Sequence, residues 1–155
     1  MKKGLNRVFE VDSVIKTLVL CILTIGSYLI YKLYRFSSQI NKNTELKISN
    51  FFIAIAITLF TISLGSLIYA IAHFQDLDIL RTSIGIHVIS SVFDITWIIM
   101  VRHRINLISG SNKGDELWLN PVITSILHVI YMQHKINQAL LKAHITTEVN
   151  PSSPP

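Results

Sequence analysis

Four uncharged stretches divide the chain, and charged residues cluster between them. The stretches are Thr17–Tyr31, Phe51–Gln75, Thr82–Val101 with Asp94 as its only charged residue, and Leu117–Gln133. A helix rises about 1.5 Å per residue and the hydrocarbon core of a bilayer is about 30 Å thick, so a span needs roughly 20 residues. This alternation is typical of membrane segments joined by polar loops, and it predicts an all-α integral membrane protein.

The second and third stretches predict a central antiparallel transmembrane hairpin, with helices at 51–74 and 82–101. The turn between them, Gln75–Arg81, is short, so the two helices must be neighbours. Asn50 is the predicted N-cap of the first helix. Small residues recur in that helix at three- and four-residue spacing, which permits close approach of helices in lipid. They are Ala54, Thr58, Thr61, Gly65, Ser66 and Ala70.

The first and fourth stretches are shorter and predict two further hydrophobic segments, at 17–34 and 117–133. Gly26 and Ser27 interrupt the first. In the fourth, Asn120 and Pro121 form an N-cap and first helical residue, so the helix begins there. These segments either lie in the interface or re-enter the bilayer, or they span it and bring the total to four spans. Segments and loops together form one membrane domain, 1–145, followed by a disordered tail, 146–155.

The lysines and arginines favour the model in which only the central hairpin spans. With four spans, the 14 basic residues divide seven against seven, and with three spans, eleven against three. With the central hairpin alone, thirteen lie on one side and only Arg81 on the other. The positive-inside rule therefore favours two spans, with both termini in the cytoplasm. Anionic lipid headgroups are the expected counter-charge, and nucleic acid is not an expected partner.

Asp94 is the residue that is most costly to place in a bilayer. His87, Ser90 and Asp94 lie at positions i, i+3 and i+7 of the second central helix and share one face. Buried carboxylates in membrane helices generally face protein or water. This face is therefore either a structural contact between helices or a proton- or cation-responsive polar stripe.

Aromatic and basic residues cluster after the first stretch, where they predict anchoring at the membrane interface. They are Tyr28, Tyr31, Lys32, Tyr34 and Arg35. No catalytic motif, metal-ligand pattern or cofactor motif occurs, and Cys21 is the only cysteine, so no intrachain disulfide can form. We expect a protein without enzymatic activity.

Two short sequences resemble segments of small bacterial inner-membrane proteins that are classed as domains of unknown function. The first is Thr24-Ile25-Gly26-Ser27-Tyr28-Leu29-Ile30-Tyr31-Lys32-Leu33-Tyr34-Arg35, with Ile40-Asn41 following. The second combines Trp118-Leu119-Asn120-Pro121 with Ile130-Tyr131-Met132-Gln133-His134-Lys135-Ile136-Asn137. The resemblance implies a location in the bacterial cytoplasmic membrane and assigns no activity.

Two functions remain open from the sequence. The first is a non-enzymatic membrane protein that binds a membrane-protein partner, as a complex subunit or a toxin-neutralising protein. The alternative is a homo-oligomeric channel or transporter component that uses the polar face formed by His87 and Asp94.

Overall fold

In the computed structural model, which describes residues 5–149, all regular secondary structure is helical. The all-α prediction is therefore confirmed for the described residues. Six helices follow one another along the chain. They are α1 Leu5–Val8, α2 Val14–Leu23, α3 Ser27–Asn43, α4 Asn50–Ala72, α5 Leu77–Ser109 and α6 Pro121–Val149.

α4 and α5 form the predicted central hairpin, with different boundaries. The N-cap of α4 is Ser49, one residue before the predicted Asn50, and its Oγ accepts a hydrogen bond from the Phe52 amide. α5 begins at Leu77, five residues before the predicted start, because Asp76 caps it. The Asp76 carboxylate accepts from the amides of Asp78 and Ile79 at 3.0 and 3.2 Å.

Both helices are long and apolar enough to cross a membrane. α4 has 23 residues and α5 has 33, which correspond to about 35 and 50 Å. Only 17% and 22% of their most apolar windows are buried inside the protein. A core helix of a soluble domain would be mostly buried, whereas most of each of these two windows is exposed.

The chain divides into two compact units, and the smaller one, residues 49–97, contains the hairpin. Its seam is lined on α4 by Ile53, Ala56, Ser63 and Ala70, at the three- and seven-residue spacing of packed antiparallel helices. Most of the predicted small-residue stripe lies outside this seam. Ala54, Thr58, Thr61 and Gly65 are exposed, and a Cβ added at Gly65 would meet no atom within 4 Å. Ala54 follows buried Ile53 by one residue, and Thr58, Thr61 and Gly65 each lie two residues from a buried seam residue, so they face away from the seam.

The larger unit, residues 1–48 and 98–155, has its described core where α1, α3 and α6 meet. The largest apolar contributions come from Leu33, Phe36 and Ile40 of α3 and from Met132 and Ile136 of α6. The Phe9 and Phe36 rings meet edge to face, with centroids 5.8 Å apart.

Two asparagine side chains in this unit bind the backbone of a residue further along the chain. The Asn41 amide pairs with both backbone groups of buried Ile48, at 2.6 and 2.8 Å. The Asn106 amide does the same for buried Leu119, at 2.9 and 3.3 Å. Each asparagine supplies the donor and the acceptor that a strand neighbour would otherwise provide, so neither loop leaves these buried backbone groups unpaired.

The two shorter segments depart from single straight helices. The first is broken between Leu23 and Ser27, so it forms the separate helices α2 and α3. The fourth begins at Pro121, capped by the Asn120 side chain, as predicted. It then continues to Val149 with one non-helical residue, His128, at φ 46° and ψ −130°. α6 therefore runs four residues into the predicted disordered tail, and residues 150–155 lie outside the described part of the chain.

Candidate functional site

The polar face predicted on α5 lies partly inside the hairpin seam. Ser90 is 2% exposed, and its Oγ has no hydrogen-bond partner among the described residues. Asp94 is half-buried, and its Oδ1 likewise is buried without a partner in that part of the chain. Native proteins leave few such atoms unpaired, so each calls for a physical explanation.

His87, the third predicted residue, is bound across the seam. Its Nδ1 lies 2.8 Å from the Oγ of Ser63 on α4. The imidazole is otherwise exposed. His87 therefore has a hydrogen-bond partner on α4. Ser90 and Asp94, further along α5, each have one buried atom without a partner among the described residues.

A second pair of hydroxyls extends this polar line towards the hairpin turn. The Ser66 and Ser83 Oγ atoms are 3.3 Å apart, and Ser66 donates to the Ser63 carbonyl oxygen at 2.9 Å. We define the polar seam as the two serines on α4 and the four polar residues on α5 that line this contact. They are Ser63, Ser66, Ser83, His87, Ser90 and Asp94. Sequence reasoning missed Ser63 and Ser83, although Ser83, His87, Ser90 and Asp94 repeat at four- and three-residue spacing.

The polar seam meets a cavity at the turn end of the hairpin. A cavity of about 400 Å³ at the turn is lined by Ser66 and Ser83 together with Asp76 and Asp78. Eleven residues along α5 separate Ser83 from Asp94, a rise of about 16 Å. Among the described residues no group of three His, Cys, Asp or Glu side chains is arranged to hold a metal ion.

The polar seam can accommodate a small polar species at its inner end. A carboxylate and a hydroxyl with free hydrogen-bonding capacity can take up a proton, a water molecule or a small cation. The unpaired Asp94 Oδ1 is buried, so the species that pairs with it must fit inside the seam.

The predicted interfacial anchors on α3 separate into two groups. Tyr31 and Tyr34 are about half exposed, and the Tyr28 and Tyr31 rings are 5.5 Å apart. Lys32, by contrast, is 1% exposed. The structure places its ammonium inside the protein, away from any position at which it would meet a lipid headgroup.

Lys32 is the centre of a buried ionic network in the larger unit. Its Nζ donates to Asp12 Oδ2 at 2.6 Å and to Gln133 Oε1 at 2.9 Å. Arg35 donates to the same Asp12 oxygen at 3.1 Å and to Glu10 at 3.0 Å. The hydrogen bond from Lys32 holds the pKa of the Asp12 carboxyl below its ordinary value, despite partial burial.

The network also joins the two sequence stretches on which the family resemblance depends. Gln133 Nε2 donates to Asn137 Oδ1 at 2.8 Å, and Asn137 Nδ2 donates to the Asp12 carbonyl oxygen at 2.7 Å. Lys32 and Arg35 belong to the first stretch, and Gln133 and Asn137 belong to the second. These residues therefore contribute to one structural contact between α3, α6 and the segment before α2.

Over residues 5–149 the regular secondary structure is thus all helical, and two of these helices are long and apolar enough to cross a membrane. No protein-family model, curated protein or solved structure matches it. The resemblance to bacterial inner-membrane proteins of unknown function stays a prediction.

Proposed function

We propose that α4 and α5 cross the bacterial cytoplasmic membrane as a hairpin, with the turn at 73–76 outside and the flanking segments in the cytoplasm. Two observations support this arrangement. Most of both apolar windows is exposed, which in lipid carries no cost and in water is strongly unfavourable. In addition, thirteen of the 14 basic residues lie toward the other end of the hairpin or beyond it, and only Arg81, near the start of α5, lies at the turn end, as the positive-inside rule favours.

The proposed function is that of a non-enzymatic channel or transporter component that binds a proton or small cation in the polar seam. The observation that carries it is the pair of unpartnered buried atoms, Ser90 Oγ and Asp94 Oδ1. Burying such groups without compensation costs several kcal/mol, and more for a charged group. A site that holds a mobile proton or cation explains why the chain retains them.

The line of polar residues gives this site an entrance. From the cavity beside Asp76 and Asp78, the hydroxyls of Ser66 and Ser83 lead to Ser63 and His87. Hydrogen-bonded hydroxyls and an imidazole are suitable groups for proton transfer. The negative charge at the cavity favours the accumulation of cations there.

A second candidate function is the binding of a membrane-protein partner, with this chain acting as a complex subunit or as a toxin-neutralising protein. The observation that favours it is the extent of exposed apolar side chain on the hairpin, including Ile62, Ile68, Ile89 and Val92. Lipid covers such faces equally well, and the buried unpaired atoms have no role in this function. The polar seam therefore favours the first candidate.

Flux measurements on Asp94→Asn test the proposal. The purified chain is reconstituted in vesicles that contain a pH-sensitive dye, and a potential is applied with potassium and valinomycin. We expect proton or cation flux from the parent protein and its loss in Asp94→Asn. Glu45→Gln is the matched control, because Glu45 is an exposed acid outside the hairpin and the polar seam, and it should retain the flux.

Two results would overturn this function. One is a parent protein that gives no more flux than empty vesicles, and the other is an Asp94→Asn variant with unchanged flux. If either occurs and crosslinking in native membranes yields one stoichiometric protein partner, the second candidate replaces the first.

A further inference from the structure

The turn between α2 and α3, residues 24–26, has all three of its backbone amides hydrogen-bonded. The amides of Thr24, Ile25 and Gly26 donate to carbonyl oxygens at the end of α2, at 2.9 to 3.2 Å. The Thr24 hydroxyl donates to the Leu20 carbonyl oxygen at 2.7 Å and accepts from the Tyr28 amide at 2.9 Å. Non-helical backbone tolerates an apolar medium only when its polar groups are satisfied in this way.

The side chains at this turn are unsuited to water. Ile25 is 75% exposed and has a φ of +49°, a conformation that favours glycine and asparagine. Leu23 and Ile22 on the adjoining end of α2 are also exposed. An aqueous turn would ordinarily carry a polar residue at the position of Ile25, so an exposed isoleucine there indicates an apolar surrounding.

Lys32 and Arg35 of the α2–α3 hairpin are paired with Asp12 and Glu10, so the unpaired basic charges of its described part are those of Lys16 and Lys42. Between Ser13 and Thr44 the chain carries Lys16, Lys32, Arg35 and Lys42 and no aspartate or glutamate. None of these charges lies between Thr17 and Tyr31, so the turn is separated from the basic residues on both sides. Lys16 and Lys42 are exposed and complement anionic phosphate groups.

The hairpin is too short to cross a bilayer and return. α2 has 10 residues, about 15 Å, which is roughly half of the hydrocarbon thickness. At the opposite end from the turn, Asp12, Lys32 and Gln133 are joined by the buried ionic network. That network fixes the entry of α2 beside the middle of α3 and so holds the hairpin closed.

From these observations we propose that residues 22–28 insert into the hydrocarbon of an anionic bilayer as a re-entrant hairpin, with the start of α2 and the end of α3 on the same side. The bilayer is the occupant of this apolar surface, and the exposed Lys16 and Lys42 contact its headgroups. The proposal does not depend on the chemistry of Asp94.

Single-cysteine labelling of the full chain tests this insertion. Cys21, the only cysteine, is first replaced by alanine, and circular dichroism checks the helix content of every variant. The tip carries Ile25→Cys or, as a second independent variant, Leu23→Cys. Asn112→Cys, in the exposed loop before α6, is the water-exposed control. Vesicles contain phosphatidylcholine with phosphatidylglycerol.

A membrane-impermeant maleimide should modify both tip cysteines at least about tenfold more slowly than Asn112→Cys, since apolar surroundings exclude the reagent. A fluorophore at the tip should be quenched by brominated lipid tails. Val11→Cys and Asn43→Cys, at exposed positions on the two ends of the hairpin, should be labelled from the same side of the membrane.

Three outcomes would overturn the proposal. Rapid labelling of the tip places it in water. Slow labelling without quenching by brominated lipid means that protein covers the tip. Labelling of Val11→Cys and Asn43→Cys from opposite sides means that this region spans the membrane. A failure of flux in the Asp94 experiment would leave all these readouts unchanged, so the two proposals are tested separately.

Discussion

Replacement of Lys32 by methionine tests whether the buried ionic network holds the larger unit together. The Lys32 ammonium is 1% exposed and makes two hydrogen bonds, to Asp12 and Gln133. Hydrogen bonds to charged groups contribute about 1.5–3 kcal/mol each. Methionine recovers part of that loss, because its side chain fills a similar volume and no ammonium has to be desolvated. We expect Lys32→Met to lower the free energy of unfolding by about 2–3 kcal/mol.

The reciprocal change, Asp12→Ala, should cost more. It leaves a buried cation whose remaining hydrogen-bond acceptor is Gln133, and removing one partner of a buried pair costs about 3–5 kcal/mol. After Lys32→Met, by contrast, the Asp12 carboxylate is 21% exposed and keeps Arg35 as its partner. The double variant should cost less than the sum of the two single variants, by about 1–3 kcal/mol.

Unfolding by SDS in mixed micelles, followed by tryptophan fluorescence, measures these differences. Lys42→Met is the matched control, because it removes the same charge from an exposed position on the same helix, and its effect should stay within about 0.5 kcal/mol. The reasoning is refuted if Lys32→Met is no more destabilising than Lys42→Met, or if Asp12→Ala is less destabilising than Lys32→Met.

Two further predictions concern the seam and the pH dependence. Gly65→Ala should be neutral or stabilise α4 by up to about 1 kcal/mol, because an added Cβ meets open space. Ala56→Leu should destabilise the hairpin by about 1–3 kcal/mol, because Ala56 is fully buried. Thermal melts in detergent compare the two variants, and the reverse order of stability would show that another face of α4 packs against α5. The pKa of Asp12 is lower in the folded than in the unfolded protein, so its contribution is complete above the unfolded pKa and is lost as the pH falls through the folded one. The stability difference between wild type and Asp12→Ala should therefore hold from neutral pH to about pH 4 and shrink below it, and a difference that does not change with acidification would contradict this.

The parts of the fold that depend on local signals were predictable from the sequence. The Asn120-Pro121 start of α6 and the existence of α4 follow from residues that are close together in the chain. The start of α5 differs from the prediction because Asp76, within the predicted turn Gln75–Arg81, caps the helix with its carboxylate. The buried face of α4 was missed because residue spacing defines a stripe and does not define which stripe faces the partner helix.

The candidate sites show the same limit. The shared face of Ser90 and Asp94 follows from helix periodicity, but the pairing of His87 with Ser63 depends on the register between two helices. The aromatic and basic residues around Lys32 predict an interfacial anchor, whereas the structure buries it. Its partner Gln133 lies 101 residues further along the chain, and no local pattern indicates that contact. Asn106, which binds the backbone of Leu119, is another residue whose role only the tertiary structure reveals.

The membrane topology of the α4–α5 hairpin is the claim on which the account depends most. Reporter fusions after residues 43, 78, 112 and 145, with a phosphatase that is active only outside the cytoplasm and a fluorescent protein that is active only inside, measure it directly. We expect phosphatase activity at 78 alone and fluorescence at the other three positions. Fluorescence at 78, or phosphatase activity at 43 or 112, would contradict the two-span hairpin.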